Sequence, residues 1–285
     1  MSAIATTTIT PGHARKLKNR VSLQESLSHT VTMAYRGILK IKRTPEQLFD
    51  VTLQPIIFTL MFTYIFGGAI SGDVDSYLPF FIPGILVQTV ISTSIVTGVQ
   101  LREDMDKGVF DRFRSLPIAR IAPLSGALLA DTVRYLIATT LTFAMGYLMG
   151  LRPGGGFAGV VAASVLVIVC AWSLSWIFAF FGVIARSASS VQGISMLILF
   201  PLTFISNAFV PLETLPEPLR TFAELNPVSS LVQAARELFG NTGSAPVPDV
   251  WTLQHATLTV LIGVVVMLVV FVPLCIKKFA SISSR

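Results

Sequence analysis

Five long stretches of this chain contain no aspartate, glutamate, lysine or arginine, and this absence constrains the fold more than any motif. The stretches are residues 51–72, 76–101, 157–185, 187–212 and 256–276. Each is long enough for a helix to cross a bilayer core of about 30 Å. A sixth, less clean stretch ends at Leu151. The sequence therefore predicts an all-α polytopic membrane protein with six transmembrane helices.

The composition agrees with a lipid environment. Hydrophobic residues make up 53% of the chain and charged residues 13%, and the mean hydropathy is +0.73. We expect a disordered cytoplasmic tail over residues 1–22 and one transmembrane domain over residues 23–285. Its predicted spans lie at about 51–71, 79–101, 129–151, 158–184, 190–211 and 255–276.

The distribution of lysine and arginine predicts the orientation of the chain. Of 21 such residues, only Arg152, Arg220 and Arg236 fall in the loops of one side, and Arg134 lies inside the third stretch. The others lie in the N-terminal region, in the loop after the second span, at Arg186 and at the C-terminal end. Because basic residues of short loops stay on the cytoplasmic side, both termini are expected to be cytoplasmic.

The third stretch carries the pair Asp131 and Arg134, whose spacing of three places both side chains on one helix face. Counting back from Leu151 by the length of a span puts the pair at the cytoplasmic edge of the bilayer. Two interpretations follow: an interfacial ion pair that anchors the helix, which the sequence favours, or an intramembrane relay or substrate site.

Two amphipathic segments are predicted on the cytoplasmic side. Apolar residues at helical spacing precede the first span, with basic residues mostly off that stripe, which is typical of an interfacial helix. This helix is either a membrane-surface anchor or has a signalling role.

The loop from Leu101 to Arg120 has a similar pattern of apolar residues, which Pro117 ends. The loop is therefore either a helix that inserts into a groove of a soluble partner or a solvated connector. The first stripe comprises Leu23, Leu27, Val31, Ala34, Tyr35, Ile38 and Leu39, and the second comprises Leu101, Met105, Val109, Phe113 and Leu116.

Several chemistries lack their motifs. The sequence contains no phosphate-binding loop of the G-x-x-x-x-G-K-[ST] type, so ATP hydrolysis by that route is excluded. Its histidines, His13, His29 and His255, are far apart and form no zinc-protease motif. Apart from the third, the spans carry acids only at their ends, which argues against ion-coupled transport.

In this setting the chain resembles the permease subunits of type-2 ABC exporters, most closely those of the daunorubicin-resistance kind. Three stretches carry the resemblance: residues 106–117 with 118–120, the Arg43-Thr44-Pro45 sequence leading to Pro55, and Asn226-Pro227 through Ser230 with residues 235–237. The first looks like the loop that these permeases present to their ATPase. The resemblance covers nearly the whole chain.

The resemblance implies a permease in the bacterial plasma membrane that pairs with itself or a paralogous permease and binds two copies of a separate ABC ATPase. ATP and magnesium would be bound by that partner, and this chain would need no cofactor, metal, catalytic residue or nucleic acid. Its cargo would be amphipathic drugs or related hydrophobic compounds. Part of residues 211–241 would re-enter the outer leaflet as short helices that cap the pathway. The alternatives are a lipid or glycan exporter of the same family, an ion-coupled secondary transporter and an intramembrane enzyme.

Two sets of residues are the candidate sites. Small polar side chains on the second and fifth spans suit a pathway for amphipathic cargo, or they merely allow close helix packing. Because these rows hold no carboxylate, selectivity is expected to rest on shape, aromatic contact and hydrogen bonding. The predicted pathway residues are Gln88, Thr89, Ser92, Thr93, Ser195 and Asn207, and the predicted ATPase-coupling residues are Met105, Val109, Phe110, Phe113, Arg114 and Leu116.

Overall fold

The computed structural model describes residues 22–43, 46–71, 74–110, 118–119, 121–240 and 248–282. Within these ranges the chain is helical and contains no strand, which confirms the predicted all-α class. The predicted tail lies outside them except for Ser22. The helices are α1 (Leu23–Arg43), α2 (Glu46–Ser71), α3 (Val74–Asp106), α4 (Ala122–Leu148), α5 (Gly156–Ile184), α6 (Ala188–Phe204), a 3-10 turn (Leu212–Thr214), α7 (Glu217–Leu225), α8 (Pro227–Phe239), α9 (Trp251–Gln254) and α10 (Ala256–Ile282).

Four of the described helices are long and apolar enough to cross a membrane: Leu78–Asp106, Ala122–Leu148, Gly156–Ile184 and Ala256–Ser281. Two shorter apolar helices, Thr52–Ile65 within α2 and Ala188–Phe204, lie in the remaining predicted intervals. Each of the six predicted intervals therefore contains a helix. Among the described helices, four meet the length and composition expected of a membrane span.

Two helix boundaries differ from the predicted ones by seven residues, more than the other boundaries do. α4 begins at Ala122 instead of near residue 129, because Pro123 lies in its first turn, where a missing N–H costs no helical hydrogen bond. α6 ends at Phe204 instead of near residue 211, because Ile205 leaves the helical region with φ −94° and ψ 62°. At 17 residues, α6 is about 25 Å long.

The amphipathic helix predicted before the first span is present as α1. Ser22 and Glu25 form a reciprocal capping box, in which each backbone N–H donates to the other's side chain at 2.8 and 3.2 Å. One face of α1 packs on α4, where Gly126 lies against Met33 and Gly37 against Ala130. The opposite face leaves Leu27, Val31 and Tyr35 at least 60% exposed. The apolar stripe is thus divided between a protein contact and an open surface.

The helices run between two ends of the bundle. The end that carries α1 also holds the carboxyl ends of α3, α5 and α10, and we call it the α1 end. The opposite end holds the carboxyl end of α4, the amino end of α5 and the short helices α7 and α8, and we call it the α8 end. This arrangement alternates the long helices in direction, as the sequence predicts for a polytopic chain.

α3 is the central helix of the bundle. It packs against α2, α4, α5, α6 and α8. Of its most apolar window, 83% is buried inside the protein, against 17% for α10. The polar side chains that the sequence places on the second span therefore lie inside the bundle, whereas α10 presents most of its apolar surface outward.

α3 and α5 approach each other at backbone distance through two glycines. A Cβ placed on Gly98 would lie 2.2 Å from the carbonyl oxygen of Phe178, and one on Gly182 would lie 2.4 Å from the carbonyl oxygen of Gly98. Backbone atoms cannot move aside as a flexible side chain can. In lipid, where burial of apolar surface does not favour helix association, such close contact is a principal attractive force.

We therefore expect Gly98→Ala to destabilise the protein, because the added methyl group forces α3 and α5 apart. Overpacking of this kind costs about 1–3 kcal/mol. The matched control is Gly263→Ala on α10, where an added Cβ meets no atom within 4 Å. The measurement is the midpoint of thermal unfolding of the purified protein in detergent. A Gly98→Ala midpoint equal to that of Gly263→Ala would contradict the close contact.

Candidate translocation pathway and coupling surface

The predicted pathway residues of the second span form a buried polar row on α3. Gln88, Thr89 and Thr93 are each less than a tenth exposed, and Ser92 is half-buried. Helical spacing brings Gln88 Nε2 to 3.4 Å from Ser92 Oγ. The Thr93 hydroxyl donates to the Thr89 carbonyl at 2.9 Å, so its polarity is satisfied within α3. Such a bond to the carbonyl four residues earlier is expected of a threonine whose role is helix packing.

The predicted residues of the fifth span are also buried, beside α3. Ser195 lies on α6, which packs on α3, and Asn207 lies next to Ala208, whose backbone meets Gly84 of α3. Among the described residues, Gln88 Oε1, Ser195 Oγ and Asn207 Oδ1 have no hydrogen-bond partner. Buried polar oxygens without partners are costly and call for a reason. These three could accept hydrogen bonds from water or from a polar group of a cargo.

α2 adds two polar residues that the sequence analysis missed. Thr59 and Thr63 are fully buried, and neither hydroxyl has a partner within the described ranges. Their spacing of four places them on one face of α2, which packs on α3 and α4. This spacing was visible in the sequence, but the first span lacked the denser polar row of the second.

A cluster of phenylalanine rings joins α2, α3 and the chain after α6. The Phe62 ring lies 5.8 Å from that of Phe81 and 5.1 Å from that of Phe209. The cluster extends through Phe204, 5.2 Å from Phe209, to Phe200 at 4.3 Å from Phe204. Phe200 is 59% exposed and Phe81 is fully buried, so the cluster leads from the surface into the core. Aromatic contact was expected for the pathway, but spacing alone could not identify these rings.

Asp131 and Arg134 form a buried ion pair on α4. Arg134 Nη1 donates to Asp131 Oδ1 at 2.7 Å, and the Thr97 hydroxyl of α3 donates to Asp131 Oδ2 at 2.6 Å. Arg134 is 1% exposed and Asp131 is 5% exposed, so the pair faces protein and not an open interface. Thr97 continues the row of Thr89 and Thr93 on α3. The Asp131 carboxylate therefore adjoins the polar row, although the row itself contains no carboxylate. In the described part of the chain, no group of three or more metal-ligating side chains occurs.

The predicted coupling segment begins as the last turn of α3. Leu101 and Met105 belong to that helix, which ends at Asp106. Gly108 has a φ of 65°, the left-handed conformation that ends helices, and Val109 and Phe110 follow in helical conformation. The single helix expected over residues 101–116 is therefore wrong at this point. Phe113, Arg114 and Leu116 lie outside the described residues.

Phe110 contacts the end of the last helix. Its ring meets that of Phe279 edge-on at a centroid distance of 5.1 Å. Both rings pack on a separate cluster of buried side chains at the α1 end, which includes Leu101 of α3, Leu124 of α4 and Cys275 of α10. The segment after Gly108 is thus joined to three long helices. Sequence analysis did not identify Phe279.

Arg102 connects the end of α3 to the turn between α5 and α6. Its Nη1 donates to the Ala185 carbonyl at 2.9 Å, and its other terminal nitrogen pairs with Asp106. Lys40 of α1 pairs with Asp104 of α3 at 3.0 Å. The carboxyl end of α3 is therefore held on two sides, by α1 and by the α5–α6 turn.

Asn226 and Arg236 hold the broken end of α6 at the α8 end. The Asn226 amide donates to the carbonyls of Leu202 and Ile205, each at 2.7 Å, while its oxygen caps α8. Arg236 donates to the Phe80 and Asn207 carbonyls, and its guanidinium lies 3.7 Å from the centre of the Phe80 ring. Arg236 is 3% exposed, so this residue, expected in an outer loop, is buried. These contacts explain why α6 ends early.

The segment predicted to fold back consists of the 3-10 turn, α7 and α8. α8 is almost entirely buried. α7 exposes Leu219, Phe222 and Leu225 by 41%, 45% and 63%. The segment therefore has one buried helix and one helix with an open apolar face.

Comparison with known proteins identifies a family and relatives among resistance permeases. The family model for the ABC-2 type transporter matches residues 28–239. The daunorubicin resistance ABC transporter permease protein of Streptomyces coeruleorubidus is 41% identical over 217 residues, which cover 76% of this chain and 77% of that protein. The doxorubicin resistance ABC transporter permease protein of Mycobacterium tuberculosis is 27% identical over 182 residues, covering 64% of this chain and 63% of the relative.

The Asp131–Arg134 pair generates a stability prediction. Arg134→Met leaves the Asp131 carboxylate buried without its cation, and we expect the free energy of unfolding to fall by about 3–5 kcal/mol. Asp131→Leu/Arg134→Met removes both charges and should recover most of that loss. Unfolding of the purified protein in detergent measures both effects.

The control for this pair is Lys107→Met, which breaks the exposed Lys107–Glu103 pair. It should change the unfolding free energy by less than about 1 kcal/mol. If Arg134→Met is no less stable than Lys107→Met, the buried pair does not stabilise the fold.

Proposed function

Because the chain belongs to the ABC-2 type transporter family, we propose that it is the membrane-spanning subunit of an exporter of amphipathic drugs or related hydrophobic compounds. ATP hydrolysis on a separate subunit would supply the energy. The similarity to a daunorubicin resistance permease over most of both chains carries this proposal. Family membership argues against the secondary transporter and the intramembrane enzyme, and the lipid or glycan exporter becomes an outcome of the transport assay.

We propose that six helices cross the bilayer, with the α1 end on the cytoplasmic side: α2, α3, α4, α5, α6 and α10. In a bacterium this bilayer is the plasma membrane. The charges support this orientation. Arg36, Lys40, Arg102 and Lys107 lie at the α1 end, whereas Glu213, Glu217 and Glu224 lie at the α8 end. Retention of basic residues on the cytoplasmic side supports this direction.

The length of α6 supports a re-entrant outer segment. At about 25 Å, α6 is shorter than the core of about 30 Å that a span must cross. Asn226 and Arg236 hold the chain after α6 against α8, so α7 and α8 would occupy the missing depth in the outer leaflet. Non-helical backbone at that depth needs protein or water around it, and the buried position of Asn207 provides protein.

The polar row of α3 and its neighbours on α2 and α6 are the proposed pathway. Gln88, Ser195 and Asn207 offer unsatisfied acceptors inside the bundle. The Phe62, Phe81 and Phe209 rings add a surface on which a flat cargo can stack. An amphipathic molecule requires both kinds of contact along its route.

The segment after Gly108 is the proposed contact with the ATPase. A dimer of this permease would present two copies of the segment, one to each ATPase subunit. Phe110 would transmit the movement, since its ring touches Phe279 and its neighbours reach α3 and α4. ATP and magnesium would stay on the partner.

Coupling is tested by Phe110→Ala and Phe279→Ala. We expect either change to lower export per ATP hydrolysed by roughly two- to tenfold, because an aromatic pair contributes about 0.5–1.5 kcal/mol. The measurement is transport of daunorubicin and ATP hydrolysis by proteoliposomes that contain the permease and its ATPase. Phe157→Ala is the control, since Phe157 is 84% exposed at the opposite end.

Two results would contradict parts of this proposal. Normal export per ATP in both Phe110→Ala and Phe279→Ala would make the segment a passive connector. If lipids or glycans stimulate ATP hydrolysis and amphipathic drugs do not, the cargo is a lipid or glycan and not a drug.

The pathway is tested by the size of residue 93. Thr93→Trp adds an indole ring within the buried polar row and should abolish export, whereas Thr93→Val, which keeps the shape, should change export modestly. Val265→Trp on the outward face of α10, which is 58% exposed, is the control for the added indole. Copurification with the ATPase establishes assembly, and an assembled Thr93→Trp protein that exports normally would remove this row from the pathway.

A further inference from the structure

A cavity of about 290 Å³ lies at the α1 end between α1, α3 and α4. Its volume is at the lower end of the range for small-ligand sites. Its polar lining comes from Arg36 and Lys40 of α1, from Thr97, Gln100 and Asp104 of α3, and from Asp131 of α4. Thr97, which continues the polar row, and Phe110 also line the cavity, so it adjoins the proposed pathway and the coupling segment. Its α1 side chains belong to neither.

The charged groups of the lining are balanced and differ in depth. Lys40 and Asp104 pair at the rim, where their side chains are 43% and 29% exposed. Asp131 lies inside and is 5% exposed. Its carboxylate accepts bonds from Thr97 and Arg134 and, with about four acceptor positions, can accept more. The cavity thus offers cationic donors from α1 and carboxylate acceptors from α3 and α4.

The rest of the lining is apolar. Ile41, Leu101 and Val109 are among the side chains that form it. Outside the cavity, the exposed face of α1 carries Leu27, Val31 and Tyr35, which would lie among lipid if α1 rests at the membrane surface. A ligand with a charged head and an apolar body would therefore find partners for both parts.

We propose that this cavity binds the zwitterionic headgroup of a phospholipid of the cytoplasmic leaflet. The phosphodiester would lie beside Arg36 and Lys40, and a primary ammonium group would donate to Asp104 and Asp131. A purely anionic headgroup would meet the carboxylates, and a simple cation would meet the α1 side chains, so the balanced lining favours a zwitterion. The inference rests on the proposed membrane-surface position of α1 and not on the exported compound.

The test is the lipid retained by the purified protein. The permease is purified in mild detergent from membranes that contain phosphatidylethanolamine and phosphatidylglycerol, and bound lipids are identified by native mass spectrometry. Arg36→Gln/Lys40→Gln should retain about tenfold less phosphatidylethanolamine than the unchanged protein, because charge-assisted hydrogen bonds to the phosphate are lost. Lys42→Gln is the matched control, since Lys42 is an exposed lysine of α1 outside the cavity lining.

A second variant separates space from charge. Ala127→Leu adds a side chain inside the cavity and leaves every charge in place, so it should also reduce phosphatidylethanolamine retention. Equal retention in the double variant, Ala127→Leu and Lys42→Gln would overturn the proposal, and so would retention of phosphatidylglycerol alone. Because the readout is bound lipid and not transport, a protein that exports no drug can still pass or fail this test.

Discussion

Backbone-to-backbone contact between helices is the interaction on which this fold depends. Lipid surrounds the outer helices, so burial of apolar surface contributes little to their association, and close approach must do so instead. Gly98 and Gly182 allow it between α3 and α5. Similar contacts occur between α1 and α4 and between α5 and α8. With these contacts made, α3 lies at the centre and its polar row is necessarily enclosed.

Much of this architecture could be predicted from the sequence because lipid imposes simple rules. Charge-free runs located the long helices, and the predicted intervals each contain helix. The amphipathic spacing before the first span identified α1, although half of its apolar stripe packs on α4. Spacing also placed Gln88, Thr89 and Thr93 on one helix, and α3 buries them.

The features that sequence reasoning missed depend on residues far apart in the chain. α6 ends at Phe204 because the amide of Asn226 takes the carbonyls of Leu202 and Ile205, and hydropathy carries no sign of such a bond. Arg236 resembled a loop residue because charge alone suggested exposure, yet two backbone carbonyls and the Phe80 ring surround it. Phe279 lies beyond the last charge-free run, after Lys277 and Lys278, and sequence spacing carries no sign of its contact with Phe110. The Gly108 turn was overlooked because periodicity in apolar residues continued across it.

The bond from Arg102 to the Ala185 carbonyl has a mechanical consequence. It fastens the end of α3 to the turn from which α6 starts, so a push applied at the α1 end displaces both helices together. If α3 and α6 move together, the distance between them stays constant. If the proposed pathway opens around Gln88 and Ser195, another helix would then have to move, and α2, which carries the buried Thr59 and Thr63, is one such helix.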